Sequence, residues 1–383
     1  MPHSRIPLSQ PSITALEVSC VTDAVRSGWV SSRGKYIDRF EESFAAYCGT
    51  QYALTTSSGT TALHLALLGY DIGPGDEVII PDISFISTAN AVTYTGATPV
   101  FVDIDADTLC IDIEAVRTAI TSNTKAIIAV HLYGHPANMP ALKAIADTRK
   151  IPIIEDAAEA HGASIHGKRT GALGNSAIFS FYGNKIVTCG EGGMVTTNNT
   201  ELYNRIKHLR NQAMSSTQRY WHTTLGFNYR MTNMQAALGF AQMKRIDQFI
   251  AKKKQIFADY QRYLGRHSGV RLNSTASWAD HVFWQVCLEV DGWSYLERNH
   301  FMELLSKRGV ETRPFFYPLS DMPMYQHIAA AQEVETPVAH RVAQQGMNLP
   351  SYFDMTEKDV KTVCDAIKSC LAKQIKGPTK TVS

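Results

Sequence analysis

The stretch FSFYGNKIVTCGEGGMV, Phe179 to Val195, sets one lysine between two segments composed like buried strands. A lysine in an apolar run ordinarily belongs to the surface, with its stem along the core and its ammonium in water. Two features count against that reading. SAIFSF precedes Lys185 and GGMVTT follows it, so the lysine falls at a turn between two buried strands of a sheet covered on both faces. Gly183, Gly190, Gly192 and Gly193 would let the backbone fold closely around whatever the amine touches. An amine held in such a place can give up its proton and attack a carbonyl, so Lys185 is expected to be an imine-forming lysine.

Working outward, short apolar runs recur at Glu77 to Ile80, Pro99 to Val102, Ala126 to Val130, Pro152 to Ile154, Ala177 to Phe181 and Met194 to Thr196, with helix-like segments between several of them. This alternation predicts an α/β fold, a mainly parallel sheet with helices on both faces. Thr14 and Glu17 predict a capping box and a first helix ending near Gly28; Thr232 and Gln235 predict another, opening a long helix through Lys253. Beyond it the order changes to strand-like WQVCLEV, helix-like LERNHFMELLSKRG, strand-like VETRPFF and an amphipathic helix from Thr356 to Leu371. The expected division is a large domain over 1–240, including the N-terminal segment, and a smaller C-terminal α+β domain over 241–383. KGPTKTVS is expected to be a loose tail.

With 383 residues, 44% hydrophobic and 19% charged, the chain can bury a large core. A net charge of +2 and a longest basic run of Lys252 to Lys254 argue against nucleic acid as a partner. MPHSRIPLSQPS lacks the apolar core of a signal peptide and no segment approaches a membrane span, so the expected location is cytoplasmic. The seven cysteines form no Cys-x-x-Cys pair and are expected to be reduced core thiols, Cys189 included. His131 and His135 have helical spacing but follow a strand-like run with no carboxylate between them, so no metal is expected.

Three further places can serve an imine at Lys185. In TTSSGTTALHLALLG a polar loop enters an apolar helix, so Ser58, Gly59 and Thr60 converge at a helix amino terminus, where a phosphate binds and where Ser and Thr also serve as plain caps. IPIIEDAAEAHG delivers Glu155 and Asp156 at the carboxy end of a buried strand, the ligand-binding edge of open parallel sheets. An aspartate there either caps the next helix or keeps a pyridine nitrogen protonated, which makes the ring an electron sink. Phe85, in PDISFISTAN, follows another strand end and either packs in the core or lies flat on an aromatic ring. Phosphate, ring face, ring nitrogen and aldehyde together describe pyridoxal 5′-phosphate.

The motifs SSGTTALHLAL, EDAAEAHG, FSFYGNK, GEGGMV and GFNYRMTN, in this order, resemble the DegT/DnrJ/EryC1/StrS family of sugar aminotransferases, and the likeness runs from Ser27 to Ser351. The resemblance implies the PLP-dependent aspartate aminotransferase type I fold. It implies Lys185 as the lysine bound to the cofactor's aldehyde and Asp156 facing the pyridine nitrogen. Phe85 would stack on the ring, Glu159 would lie near its phenolic oxygen, and Ser180 would join Ser58, Gly59 and Thr60 at the phosphate. Asn228, at the cofactor, and Arg230, at the sugar nucleotide, would reach the active site of a neighbouring subunit, making the protein a homodimer or higher homo-oligomer with shared sites.

SGWVSSRGKYIDRFE, RYWH, NYRMTN and RPFFYP are similar to family members that make GDP-perosamine, an amino sugar of O-antigen lipopolysaccharide, from GDP-4-keto-6-deoxy-D-mannose and L-glutamate. On the nucleotide-sugar side the candidates are Ser31 and Arg33 in the loop to Lys35, with Arg230, Arg313 and Tyr317; each has an ordinary packing or surface role as its alternative. One departure bears on these contacts: Ser320 stands where many relatives carry a histidine. The competing readings are an aminotransferase for another UDP- or dTDP-keto-sugar, a sugar dehydratase, which in this resemblance goes with histidine at the lysine position, and a non-catalytic PLP-binding protein.

Overall fold

The computed structural model describes residues 5–374; the expected tail KGPTKTVS lies outside them. Five strands come first, β1 (Tyr52–Thr56), β2 (Glu77–Pro81), β3 (Thr98–Val102), β4 (Thr124–Val130) and β5 (Ile153–Asp156). The short pair β6 (Ser164–Ile165) and β7 (Lys168–Arg169) follows, then β8 (Ser176–Ser180) and β9 (Gly193–Thr197). The large sheet has the order β1-β9-β8-β5-β4-β2-β3. Neighbours from β8 to β3 are parallel, while β9 runs antiparallel to both β1 and β8.

Val78, Ile79, Ile80, Ala126, Ile127, Ile128 and Ala129 are fully buried, as strands covered on both faces require. All six expected strands are present. β1 was not expected as a strand, because its YALTT runs without a break into the polar loop SSGT.

A second sheet forms from β10 (Val270–Leu272), β12 (Val286–Val290), β13 (Arg313–Pro314) and β14 (Gly346–Leu349), in the order β10-β12-β14-β13. β11 (Ala279–Asp280) instead joins β6 and β7. Of the strand-like VETRPFF, Arg313–Pro314 joins this sheet at its edge, where a proline without an N–H is tolerated, and Val310 makes an isolated parallel bridge to Ile6.

Three cores result. The largest is built on the first sheet and includes Trp284, Cys287, Phe315 and Leu319 from late in the chain. A second gathers Ile6 with Ile256, Tyr260, Leu264, Leu288, Phe301 and Val363. The third sets Ile79, Ile127, Ala129 and Ile153 of the first sheet against Met139 and Leu142. The helix Ile246–Leu264 bridges the first two, with Phe249 in one and Ile256 in the other.

The capping boxes form as expected: Thr14 with Glu17 opens Ala15–Arg26, and Thr232 with Gln235 opens Asn233–Met243. Each cap stabilises its helix by about 1 kcal/mol. The expected single helix through Lys253 is two, however. Arg245 leaves helical geometry (φ −116°, ψ 3°), its N–H closes a tight turn on the Gln242 carbonyl, and its guanidinium binds the buried Glu17 carboxylate at 2.8 Å. That ion pair ties the break to the first helix, a contact between residues more than two hundred positions apart.

Candidate active site

β5 and β8 are parallel neighbours, with Asp156 opposite Ile178, so their carboxy ends open on the same edge of the sheet. β5 alternates its side chains, and its last two residues part company. Glu155 is fully buried and accepts N–H groups from Gly171, Leu173 and Gly174 at 2.7–3.0 Å. It also takes the Nε2–H of His131 at 2.9 Å; the Ala137 N–H occupies Nδ1 and so fixes that tautomer. Glu155 is therefore committed to holding loops together.

Asp156 sits differently. It is buried, and one carboxylate oxygen accepts the Thr88 hydroxyl at 2.9 Å. Burial pushes its pKa up, while the Thr88 hydrogen bond, the Ala158 N–H and the Lys185 ammonium pull it back. Thr88 is backed by Ser84, hydroxyl to hydroxyl at 2.9 Å, on the turn that follows β2. On that turn Phe85 is 56% exposed, its edge against Phe316, so one aromatic face stands open.

Lys185 lies in the loop joining β8 to β9, with only 11% of its side chain exposed. Its Nζ is 3.4 Å from Glu159 Oε1. Glu159 is buried, and its other oxygen accepts the Tyr133 N–H at 2.9 Å. Burial raises its pKa, against the pull of the Lys185 charge and the Tyr133 N–H. Tyr133 holds that N–H in place from a left-handed backbone (φ 53°), a conformation that costs a non-glycine residue about 1–2 kcal/mol.

The Ser58–Gly59–Thr60 turn forms the amino terminus of the helix Gly59–Gly69, capped by Ser58 with Thr61. The N–H groups of Gly59 and Thr60 have no hydrogen-bond partner within the described chain, and both point out of the helix start. Ser180 packs so closely that a Cβ on Gly59 would stand 2.9 Å from the Ser180 Cβ. Two free amides, the Ser180 hydroxyl and the Thr60–Ser87 hydroxyl pair at 2.7 Å make a cradle suited to a phosphate. Pyridoxal 5′-phosphate therefore fits the residues present: an anion cradle, an open aromatic face, a buried carboxylate and a lysine amine.

The nucleotide-sugar candidates divide. Asn233 binds the Trp29 and Ser31 carbonyls and the Tyr36 N–H, which bolts the loop carrying Ser31 and Arg33 to the helix that follows Asn228 and Arg230. Gly34 (φ 146°) lies against the Asn233 side chain where no Cβ fits. Arg230 binds the Asn228 side chain at 3.1 Å; its pKa is lowered by burial and by the neighbouring Arg210 and Arg33. The Tyr229 carbonyl accepts the Ser57 N–H, so this cationic edge adjoins the phosphate cradle of its own chain.

The Arg313 side chain is exposed and makes no hydrogen bond or ion pair among the described residues. Tyr317 covers the buried Arg298, accepting its Nη2–H at 3.2 Å. Neither is joined to Lys185, Glu159 or Asp156. Ser320 gives both its N–H and its hydroxyl to the buried Asp82 at 2.7 Å, so it braces the end of β2.

Sequence reasoning missed Thr88, Ser84, Tyr133 and Trp284. The hydroxyl-rich SFIST after β2 was a usable signal for the first two; the others carry none. All seven cysteines are buried, and none forms a disulfide among the described residues. No group of metal-ligating residues occurs among the described residues, and no helix there is long and apolar enough to cross a membrane.

Comparison with known proteins agrees with this geometry. The sequence model of the DegT/DnrJ/EryC1/StrS aminotransferase family matches residues 11–368. GDP-perosamine synthase of Escherichia coli O157:H7 is 42% identical over 362 residues, covering 94% of this chain and 97% of that protein. The GDP-perosamine synthase of Caulobacter vibrioides is 42% identical over 368 residues, 96% of this chain and 98% of its own. Spr1654 from Streptococcus pneumoniae, described as a candidate sugar aminotransferase and solved in its PLP form, superposes with a TM-score of 0.91 at 27% identity over 96% of this chain and 99% of that one.

Proposed function

The chain belongs to the DegT/DnrJ/EryC1/StrS aminotransferase family and is a pyridoxal phosphate-dependent aminotransferase, and we propose that it moves the amino group of L-glutamate to C4 of GDP-4-keto-6-deoxy-D-mannose, giving 2-oxoglutarate and GDP-perosamine. What carries this reading is the Lys185–Glu159–Asp156 cluster beside a phosphate cradle, in a chain that resembles GDP-perosamine synthases along nearly its whole length.

When bound, pyridoxal phosphate supplies an electron sink and carries the amino group between two half-reactions. In this reading Lys185 Nζ would hold the cofactor at its aldehyde carbon, and the same amine would move the proton of the amino donor's α carbon. Asp156 would keep a proton on the pyridine nitrogen, Glu159 would meet the phenolic oxygen and Phe85 would cover the ring. Ser58, Gly59, Thr60 and Ser180 would bind the phosphate. Arg33 and Arg230, with Ser31, oppose the diphosphate, for which paired guanidinium donors are suited; Arg313 and Tyr317 complete the sugar side.

We read the protein further as a homodimer or larger assembly in which Asn228 and Arg230 serve the neighbouring subunit's site, working in the cytoplasm on a precursor of O-antigen sugar. A cofactor domain and a smaller C-terminal domain would meet along Ile246–Leu264. The test is a half-reaction panel: the enzyme is loaded with glutamate, then offered GDP-, UDP- and dTDP-4-keto-sugars while the cofactor's absorbance is followed. Recovery with the GDP sugar alone is expected; recovery only with a UDP or dTDP sugar overturns the substrate assignment.

A further inference from the structure

Trp284 lies two residues before β12 and one hundred positions from Asn184 of the lysine loop, yet its buried indole closes the other side of the Lys185 amine. The Lys185 Nζ lies 3.9 Å from the centre of the Trp284 ring. The indole Nε1–H is donated to the carbonyl of Asn184, the residue next to the lysine, at 2.8 Å. Behind Trp284 stands the buried Lys253. Its amine donates to the Trp284 carbonyl at 2.9 Å, to the Ser351 carbonyl at 2.5 Å and to the Ser351 hydroxyl at 2.9 Å. No carboxylate pairs with Lys253 among the described residues, and burial pulls its pKa down to about 7, so carbonyl and hydroxyl dipoles alone hold it. The Trp284 ring also lies nearly parallel to Tyr133, whose N–H fixes Glu159.

We propose that Trp284 is a positioning residue for the Lys185 amine: its indole face seats the ammonium opposite the Glu159 carboxylate, and Lys253 fixes that seat by holding the Trp284 carbonyl. An aromatic face attracts a cation through its quadrupole and does little for a neutral amine. The seat therefore acts while the amine is free of the cofactor and charged, keeping it aimed at the reacting carbon. This rests on the reading of Lys185 as the amine that takes the cofactor.

A double-mutant cycle on the cofactor-free protein tests it without calling on catalysis. Unfolding in urea is measured for the wild type, Lys185→Met, Trp284→Leu and the double variant. The effect of Lys185→Met on the unfolding constant is expected to differ between the wild-type and Trp284→Leu backgrounds by about fivefold to thirtyfold, the range for a partly to fully desolvated cation on an indole. Adding Lys253→Met should shrink that difference. Should Trp284→Leu not fold, Trp284→Phe replaces it, and the weaker ring should leave a smaller but measurable difference. Additivity within twofold overturns the proposal. In the loaded enzyme, Trp284→Phe should lower kcat of the glutamate half-reaction and leave KM for glutamate unchanged; a change in KM alone also overturns it. A protein inactive on every keto-sugar but coupled in the cycle would instead refute the functional reading and leave the seat standing.

Discussion

Thr88→Val isolates one hydrogen bond to the carboxylate proposed to govern the cofactor ring. Valine keeps the branched shape of threonine and removes the hydroxyl that Asp156 accepts at 2.9 Å. A hydrogen bond to a charged group contributes about 1.5–3 kcal/mol, which is about a tenfold to 150-fold change in the balance between carboxylate and carboxylic acid. Burial already favours the acid at Asp156, and Thr88 is the largest of the opposing influences. Its loss should move the acidic limb of the pH–rate profile upward and slow the glutamate half-reaction at pH 7 by up to about that factor. Stopped-flow absorbance across pH measures both quantities. Ser84→Ala is the control: it removes the hydroxyl behind Thr88, leaves the bond to Asp156, and should cost far less. A Thr88→Val enzyme within twofold of wild type at every pH would refute the role given to Asp156.

Asp156→Asn should cost several orders of magnitude in turnover yet raise the Tm of the cofactor-free protein at neutral pH. Its folded pKa lies above the unfolded value, so its contribution to stability is complete below the unfolded pKa and is lost as pH rises through the folded one; at pH 7 the buried charge is a cost. His135 and His281 are held by burial at about 4 and about 3. For depressed values the sign reverses: stability is whole above the unfolded pKa and falls as pH drops below it, by about 1.4 kcal/mol per unit for each histidine. His281→Phe, stacked on Phe283, should flatten the acid limb of urea-measured stability; an unchanged limb would contradict this. Mixing inactive Lys185→Ala with inactive Asn228→Ala chains under subunit exchange should restore activity if two chains build each site, and should restore none if both residues serve one chain.

The features legible in the sequence were those decided within a few residues. Capping boxes at Thr14 and Thr232 are contacts between positions three apart, and doubly buried strands announce themselves by continuous apolar runs. Lys185 was legible for the same reason, as a charge set between two such runs. The family motifs singled out, between the two readings of Asp156, the one proposed here, and they alone suggested the role proposed for Glu159.

What only the tertiary structure decided depends on residues distant in sequence, whose meeting no local pattern encodes. β9 enters antiparallel between β1 and β8, so the glycines after Lys185 lead back beside the phosphate cradle. Arg245 breaks a helix because Glu17 lies within its reach. Trp284 reads as an ordinary core residue until packing sets its ring against the Lys185 amine and Lys253 behind it, because a side chain's environment is fixed by what the folded chain brings to it.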